Sequence, residues 1–253
     1  MTAPALLLPK VLAIVEQAGA VILQHYTEGT TVARKADASP VTAADEAGEA
    51  VIVAALRELT PDLPIVAEEA VAKGEVPEVG EGTFWLVDPL DGTKEFISRN
   101  GEFTVNVGLV RDRKPVLGVV LAPARGLAWW GVVGEGALRR EEGRVSPIRT
   151  RARPAQGAVA VASRSHRDAE TDAWLTAEGI TDTVSAGSSL KFCLVAEGKA
   201  DVYPRFGPTM EWDTAAGDAV LRAAGGEVTT TQGEPFLYVK PGFRNPGFIA
   251  RGA

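Results

Sequence analysis

The chain has 253 residues, 45% apolar and 23% charged, with 33 acidic and 26 basic side chains and a formal net charge of -7. That length buries a large core, as one long domain or two halves sharing an interface, and the composition excludes disordered, collagen-like and coiled-coil chains. A mildly acidic chain is a poor match for a nucleic-acid polymer, although local cations can still receive a small anion in one cleft. Apolar positions Leu7, Val11, Ile14, Val15, Ala18 and Ile22 predict a helix over 5–27. The stretch is apolar enough to raise a signal or membrane segment. Pro9, Lys10, Glu16 and Gln17 interrupt it and no basic region precedes it, so a core-facing helix is expected. Ser39 and Pro40 read as the cap and first turn of a second helix, continued by Ala47, Val51, Ala54, Ala55 and Leu56. Strand-like runs follow near 64–69, 83–90, 103–110, 115–123 and 127–133, with Trp129 and Trp130 expected in a core or interface.

The charged, Pro-bounded stretch 139–154 reads as the join between an N-terminal α+β half, 1–145, and a C-terminal α/β half, 146–253. Beyond it a strand is expected near 158–163 and a helix in HRDAETDAWLTAEG. A second helix follows in GSSLKFCLVAEG, then a strand in ADVYPR, and a long helix in WDTAAGDAVLRAAGG that stops at Gly225 and Gly226. Cys193 is the only cysteine. It is expected as a buried helix residue, with no disulfide partner and a reduced cytoplasm as the compartment. The order of elements describes a layered mixed sandwich.

Acidic residues recur where one element gives way to the next: Asp45, Glu68 and Glu69, Asp88 and Asp91, and Asp213. In DPLDGT, Asp88 ends a strand, Pro89 stops the ladder and Gly92 permits a tight turn, so Asp88, the Leu90 carbonyl and Asp91 can face one point. Each acid taken singly is as well explained as a turn cap, a first-turn acid or a solvated strand end. Together they form an oxygen-ligand set suited to Mg²⁺. His25 and His166 are too few for a histidine-rich centre. Two ions about 3.5–4 Å apart would clamp the attacking and leaving oxygens of a phosphate ester, and Thr93 offers a hydroxyl to orient water.

The runs KADASPVTAAD, VAEEA, WLVDPLDGTKEFI and EWDTAAGDAVLRAAGG, in that order, resemble the inositol monophosphatase superfamily of metal-dependent, lithium-sensitive phosphatases. DGTKEF, SRSH, GSSLKFC and YPRFGPTMEWDTAAGD resemble its CysQ group, the 3'(2'),5'-bisphosphate nucleotidases. The resemblance implies a layered αβαβα sandwich of the inositol monophosphatase and fructose-1,6-bisphosphatase type. It implies two or three Mg²⁺ held by Glu68, Asp88, Asp91, Asp213 and the Leu90 carbonyl. Thr93, with Asp45 or Glu68, would position and deprotonate the attacking water. Substrate phosphate would sit against Leu90, Asp91, Gly92 and Thr93, close to Asp213.

Lys94, Arg164, Lys191 and Arg205 are candidates for a second phosphate, each equally readable as a solvated surface charge; His166 is expected to stack on a base or simply to begin a helix, and Ser188 is a further candidate substrate contact. The expected partner is a small phosphorylated metabolite, and the expected assembly a monomer or homodimer. The reaction expected is removal of the 3'-phosphate of adenosine 3',5'-bisphosphate or of 3'-phosphoadenylyl sulfate. Alternatives are an inositol monophosphatase or fructose-1,6-bisphosphate phosphatase on the same metal site, or a binding protein that kept the fold without turnover. No P-loop sequence is present.

Overall fold

The computed structural model describes residues 2–34, 40–163 and 168–253. The amphipathic first stretch forms α1 (Pro4–Glu28), burying Leu7, Val11, Ile14, Val15, Ala18 and Ile22. Among the described residues, α1 alone is long and apolar enough to cross a membrane, yet this stripe belongs to a protein core. A ribbon of β1 (Val32–Arg34) and β2 (Pro40–Thr42) leads into α2 (Ala43–Leu59). The expected start of α2 is corrected here. Pro40 belongs to β2, Ser39 lies outside the described residues, and the cap is Thr42, whose hydroxyl accepts the Ala44 N–H. Asp45 reaches back to the Thr42 N–H at 2.8 Å, a reciprocal arrangement that satisfies orphan amides of the first turn.

The next elements are β3 (Ile65–Ala67), the short helix α3 (Glu68–Ala72), β4 (Thr83–Asp91) and the short helix α4 (Thr93–Ile97). After them come β5 (Thr104–Arg111), β6 (Lys114–Ala122), β7 (Leu127–Val132), β8 (Gly136–Glu141) and β9 (Arg144–Ile148). β3 to β9 form one seven-stranded sheet in sequence order, antiparallel except for the parallel β3–β4 pair. Residues 139–148, expected as part of a join, are therefore sheet. Glu142 and Gly143 turn β8 into β9 with φ of 50° and 76°, as a two-residue hairpin turn requires. β9 is an edge strand with mostly exposed positions and Pro147, so its sequence looks like a linker.

The remaining chain gives β10 (Val159–Ser163), α5 (Ala169–Ala177), β11 (Asp182–Ala186), α6 (Leu190–Ala196) and β12 (Val202–Arg205). It closes with β13 (Thr209–Met210), α7 (Glu211–Ala223), β14 (Glu227–Thr230), β15 (Arg244–Asn245) and β16 (Phe248–Arg251). A five-stranded sheet runs β11-β10-β12-β16-β14. Three apolar cores join five layers, one of them filling both sides of the central helices. α1 and α2 cover one face of the larger sheet over Trp85, Val87, Val105 and Val119. α6 and α7 lie between the sheets with Phe84, Leu86, Phe192, Val220 and Phe248. α5 covers the outer face of the smaller sheet through Leu175. The result is the expected αβαβα sandwich. α7 seats directly on the larger sheet because Gly118 and Gly108 have no side chains: a Cβ on Gly118 would meet the Ala216 carbonyl oxygen at 2.2 Å, and one on Gly108 the Ala215 Cβ at 2.9 Å. That approach brings the first turn of α7 onto the end of β4.

Candidate active site

The last residues of β4 carry the chemistry. Asp88 pairs with Asn106 and Asp91 with Thr104, so β4 takes three steps where β5 takes two. This is a β-bulge. In a regular strand, residues three apart face opposite ways. The extra residue turns Asp88 and Asp91 to one face, the face of Phe84 and Leu86 that looks towards α7. The expectation that Pro89 ends the ladder is thus corrected: the strand continues to Asp91, and Pro89 sits in the bulge, where a missing N–H costs no ladder bond. The Leu90 N–H donates to Asp88 Oδ1 at 3.0 Å, and Gly92, at φ 92° and ψ 46°, turns the chain into α4.

Glu68 arrives at the first turn of α3. That turn is held by Glu49 of α2, whose carboxylate accepts the Glu69 N–H at 2.7 Å and the Ala70 N–H at 2.8 Å. Asp213 arrives in the first turn of α7, where its Oδ2 accepts the Met210 N–H at 2.8 Å. Glu68, Asp88 and Asp213 each present an oxygen within 4.8 Å of the other two. The Ser189 hydroxyl lies 3.1 Å from Asp91 Oδ2 and 2.9 Å from the Asp213 carbonyl, and donates to one at a time. Beneath them Asp45 is buried. Its Oδ2 takes the Thr42 N–H and hydroxyl, and its Oδ1 is 3.4 Å from the Thr93 hydroxyl.

Crowded carboxylates in a dry place resist ionisation. Asp88 is raised well above the ordinary carboxylate range, by burial first and then by Glu68, Asp91, Asp213 and Asp45. Asp213 is raised likewise, by burial, Asp91 and Glu68. Burial pushes Asp91 up to about 6, although Lys191 and Ser189 pull it down. Lys191 is itself lowered to about 8, by burial against the pull of Asp91. Converging oxygens, inward-facing and mutually repelling, are the donor set of a hard divalent cation, so this cluster can hold a metal ion.

Above the cluster opens a cleft of about 290 Å³. Of the residues expected from the sequence, Glu68, Asp91, Gly92, Thr93, Lys94, Ser188, Lys191, Arg205 and Asp213 line it. Asp45, Asp88 and Leu90 are buried and do not line it, while Arg164 and His166 lie outside the described residues. Lys191 Nζ donates to the Ser188 carbonyl at 2.6 Å and sits 5.3 Å from the Tyr203 ring centre. Arg205 braces its own loop by donating to the Gly207 and Pro208 carbonyls at 3.1 and 3.0 Å. Sequence reasoning missed Ser189, Tyr203, Glu95 and Thr209 in the lining, and Glu49 behind Glu68. Glu49 did leave a signal: it shares the buried stripe of Asp45, Ile52 and Leu56, an acid on an apolar helix face.

Residues 8–247 match the model of the family described as the inositol monophosphatase family. The chain is 51% identical over 246 residues to the 3'(2'),5'-bisphosphate nucleotidase CysQ of Escherichia coli strain K12, covering 96% of this chain and 98% of that protein. The crystal structure of CysQ from Bacteroides thetaiotaomicron superposes with a TM-score of 0.81 at 42% identity, covering 96% of each chain. An inositol monophosphatase structure from Anabaena superposes with a TM-score of 0.76 at 28% identity, over 99% of this chain and 92% of that one.

Proposed function

The chain belongs to the inositol monophosphatase family, and from that premise we propose that it is a Mg²⁺-dependent phosphomonoesterase removing the 3'-phosphate of adenosine 3',5'-bisphosphate or 3'-phosphoadenylyl sulfate. The observation that carries the substrate choice is the pairing, in one cleft, of the acidic cluster with the cations Lys191 and Arg205. The sequence likeness to CysQ relatives supports the same choice.

Glu68, Asp88, Asp91, Asp213 and the Leu90 carbonyl would hold two or three Mg²⁺. Such ions offset the carboxylate charge, stabilise charge developing on the phosphoryl oxygens and acidify water. The protein supplies position and proton handling, since phosphoryl transfer needs little covalent help. The Thr93 hydroxyl donates to Asp45, which leaves the Thr93 lone pairs free to accept a hydrogen bond from the attacking water. Asp45 or Glu68 takes the proton. The scissile phosphate lies along Leu90, Asp91, Gly92 and Thr93, near Asp213, and the second anionic group extends towards Ser188, Lys191 and Arg205, with Lys94 at the rim. Arg164 and His166 are assigned to that end from sequence alone. Cys193, buried between the sheets, takes no part, and we assign the enzyme to the cytoplasm as a monomer or homodimer.

Catalytic efficiencies of the purified protein with Mg²⁺ test this. Adenosine 3',5'-bisphosphate is expected to exceed inositol 1-phosphate by about a hundredfold, because a substrate lacking the second phosphate forgoes its charge-assisted bonds to Lys191 and Arg205. An equal or reversed order rejects the substrate assignment. Binding of Mg²⁺ and nucleotide by calorimetry without phosphate release rejects the enzyme itself.

A further inference from the structure

The loop Gly187–Ser189 leads into α6 and carries several groups to the cleft. The Ser188 carbonyl accepts Lys191 Nζ at 2.6 Å, and the Ser189 hydroxyl stands between Asp91 and Asp213. Its backbone is under strain, because Ser188 adopts φ 43° without glycine's freedom. Such a conformation persists only where the surroundings impose it. The imposing residue comes from the larger sheet, at the entry to β5. Glu102, buried two residues before β5, accepts the Gly187 N–H on Oε2 at 2.9 Å and the Ser188 hydroxyl on its main-chain carbonyl at 2.9 Å. Its Oε1 is fixed by Arg125 Nη2 at 2.8 Å. The approach is backbone-close: a Cβ on Gly187 would lie 2.9 Å from the Glu102 carbonyl oxygen. None of these bonds touches Glu68, Asp88 or Asp213.

We propose that Glu102 is a positioning residue that clasps the 187–189 loop and thereby sets the place of Lys191 for the substrate's second anionic group. The proposal rests on the reading of Lys191 given above. The bonds from Gly187 and Ser188 to Glu102 fall within four residues of Lys191 and hold the loop whose Ser188 carbonyl takes the Lys191 ammonium. The Arg125 ion pair holds the Glu102 carboxylate in the rotamer that meets Gly187.

The test uses Glu102→Ala, Glu102→Gln and Arg125→Ala. Losing a charge-assisted bond to the loop is expected to raise KM for adenosine 3',5'-bisphosphate about tenfold in Glu102→Ala. KM for adenosine 3'-monophosphate should stay within about twofold, since it carries no second phosphate to meet Lys191. Glu102→Gln keeps an oxygen for Gly187, and Arg125→Ala keeps the whole carboxylate, so both are expected to fall between the wild type and Glu102→Ala. Equal KM changes for the two nucleotides, or no change, overturn the proposal. Amide hydrogen exchange supplies a second reading that needs no substrate: the 187–189 segment should exchange faster in Glu102→Ala with α7 unaltered. Unchanged exchange in that segment also overturns it. If the wild type fails to prefer the bisphosphate, the substrate assignment falls while the exchange measurement still decides the clasp.

Discussion

Helix α7 buries acids at two places, and their surroundings differ. In its body, Asp218 receives Arg222 Nε at 2.6 Å and the Tyr238 hydroxyl at 3.0 Å. Glu211, the first residue of the helix, is matched in the same way: it accepts the Val239 and Lys240 N–H groups at 3.0 and 2.9 Å and pairs with Lys240 Nζ at 2.8 Å. At its first turn, Asp213 receives one amide and faces Glu68 and Asp88. Burial raises both Asp218 and Asp213. At Asp218 the next influences, Arg222 and Tyr238, pull it back, whereas at Asp213 Asp91 and Glu68 push it further. A buried carboxylate that finds its cation within the chain is part of the scaffold. One that faces more carboxylates needs a cation from solution. Asp218 is fully buried and Asp213 partly so, but it is the sign of the neighbours that separates their roles.

The sharpest way to break this distinction is to neutralise one acid at each place. Asp213→Asn is expected to lower kcat at least about a thousandfold, because a charge holding the cation and organising the phosphate is lost. The same change relieves repulsion, so its melting temperature without Mg²⁺ should equal or exceed the wild type's. A variant that melts much earlier would place Asp213 with the scaffold. Asp218→Ala is expected to do the reverse. It leaves Arg222 and Tyr238 without their acceptor and should cost about 3 kcal/mol in denaturant unfolding, with the Mg²⁺ concentration for half-activity unchanged. A shift in that concentration would join the two places into one functional unit.

How much of this was legible beforehand follows the same division. α1 and α7 announce themselves by apolar periodicity, and the acids at 68, 88, 91 and 213 by lying where elements end. The αβαβα layering follows from element order together with the family resemblance. What stayed hidden depends on pairing between distant strands. The bulge that turns Asp88 and Asp91 to one face exists only in the register between β4 and β5; from sequence, Pro89 looked like a stop. β9 and β11 are edge strands with mostly exposed positions, so neither alternates in the way that betrays a half-buried strand. Glu102 carried no local signal at all, since its partners are a loop 85 residues onward and Arg125. Ser189 stood inside a run already singled out, but which of two serines reaches Asp91 is decided by the left-handed turn at Ser188.

The gentlest probe of the comparison is pH. Asp91 moves from an ordinary 3.8 to about 6, and Asp88 and Asp213 move in the same direction. Without a divalent cation the folded protein therefore keeps protons on these groups that the unfolded chain has already released. Where the native state binds more protons, stability falls as pH rises. Melting curves taken with a chelator should drop from pH 4 through pH 6, and further as Asp88 and Asp213 ionise. Asp91 alone accounts for about 2 kcal/mol after allowance for water in the cleft. Mg²⁺ should flatten the curve, because the cation replaces the protons, and Asp213→Asn should flatten it in part by removing one repelling charge. If instead the chelated wild type grows more stable across this interval, Asp213 is as well compensated as Asp218, and the case for a cation supplied from outside fails.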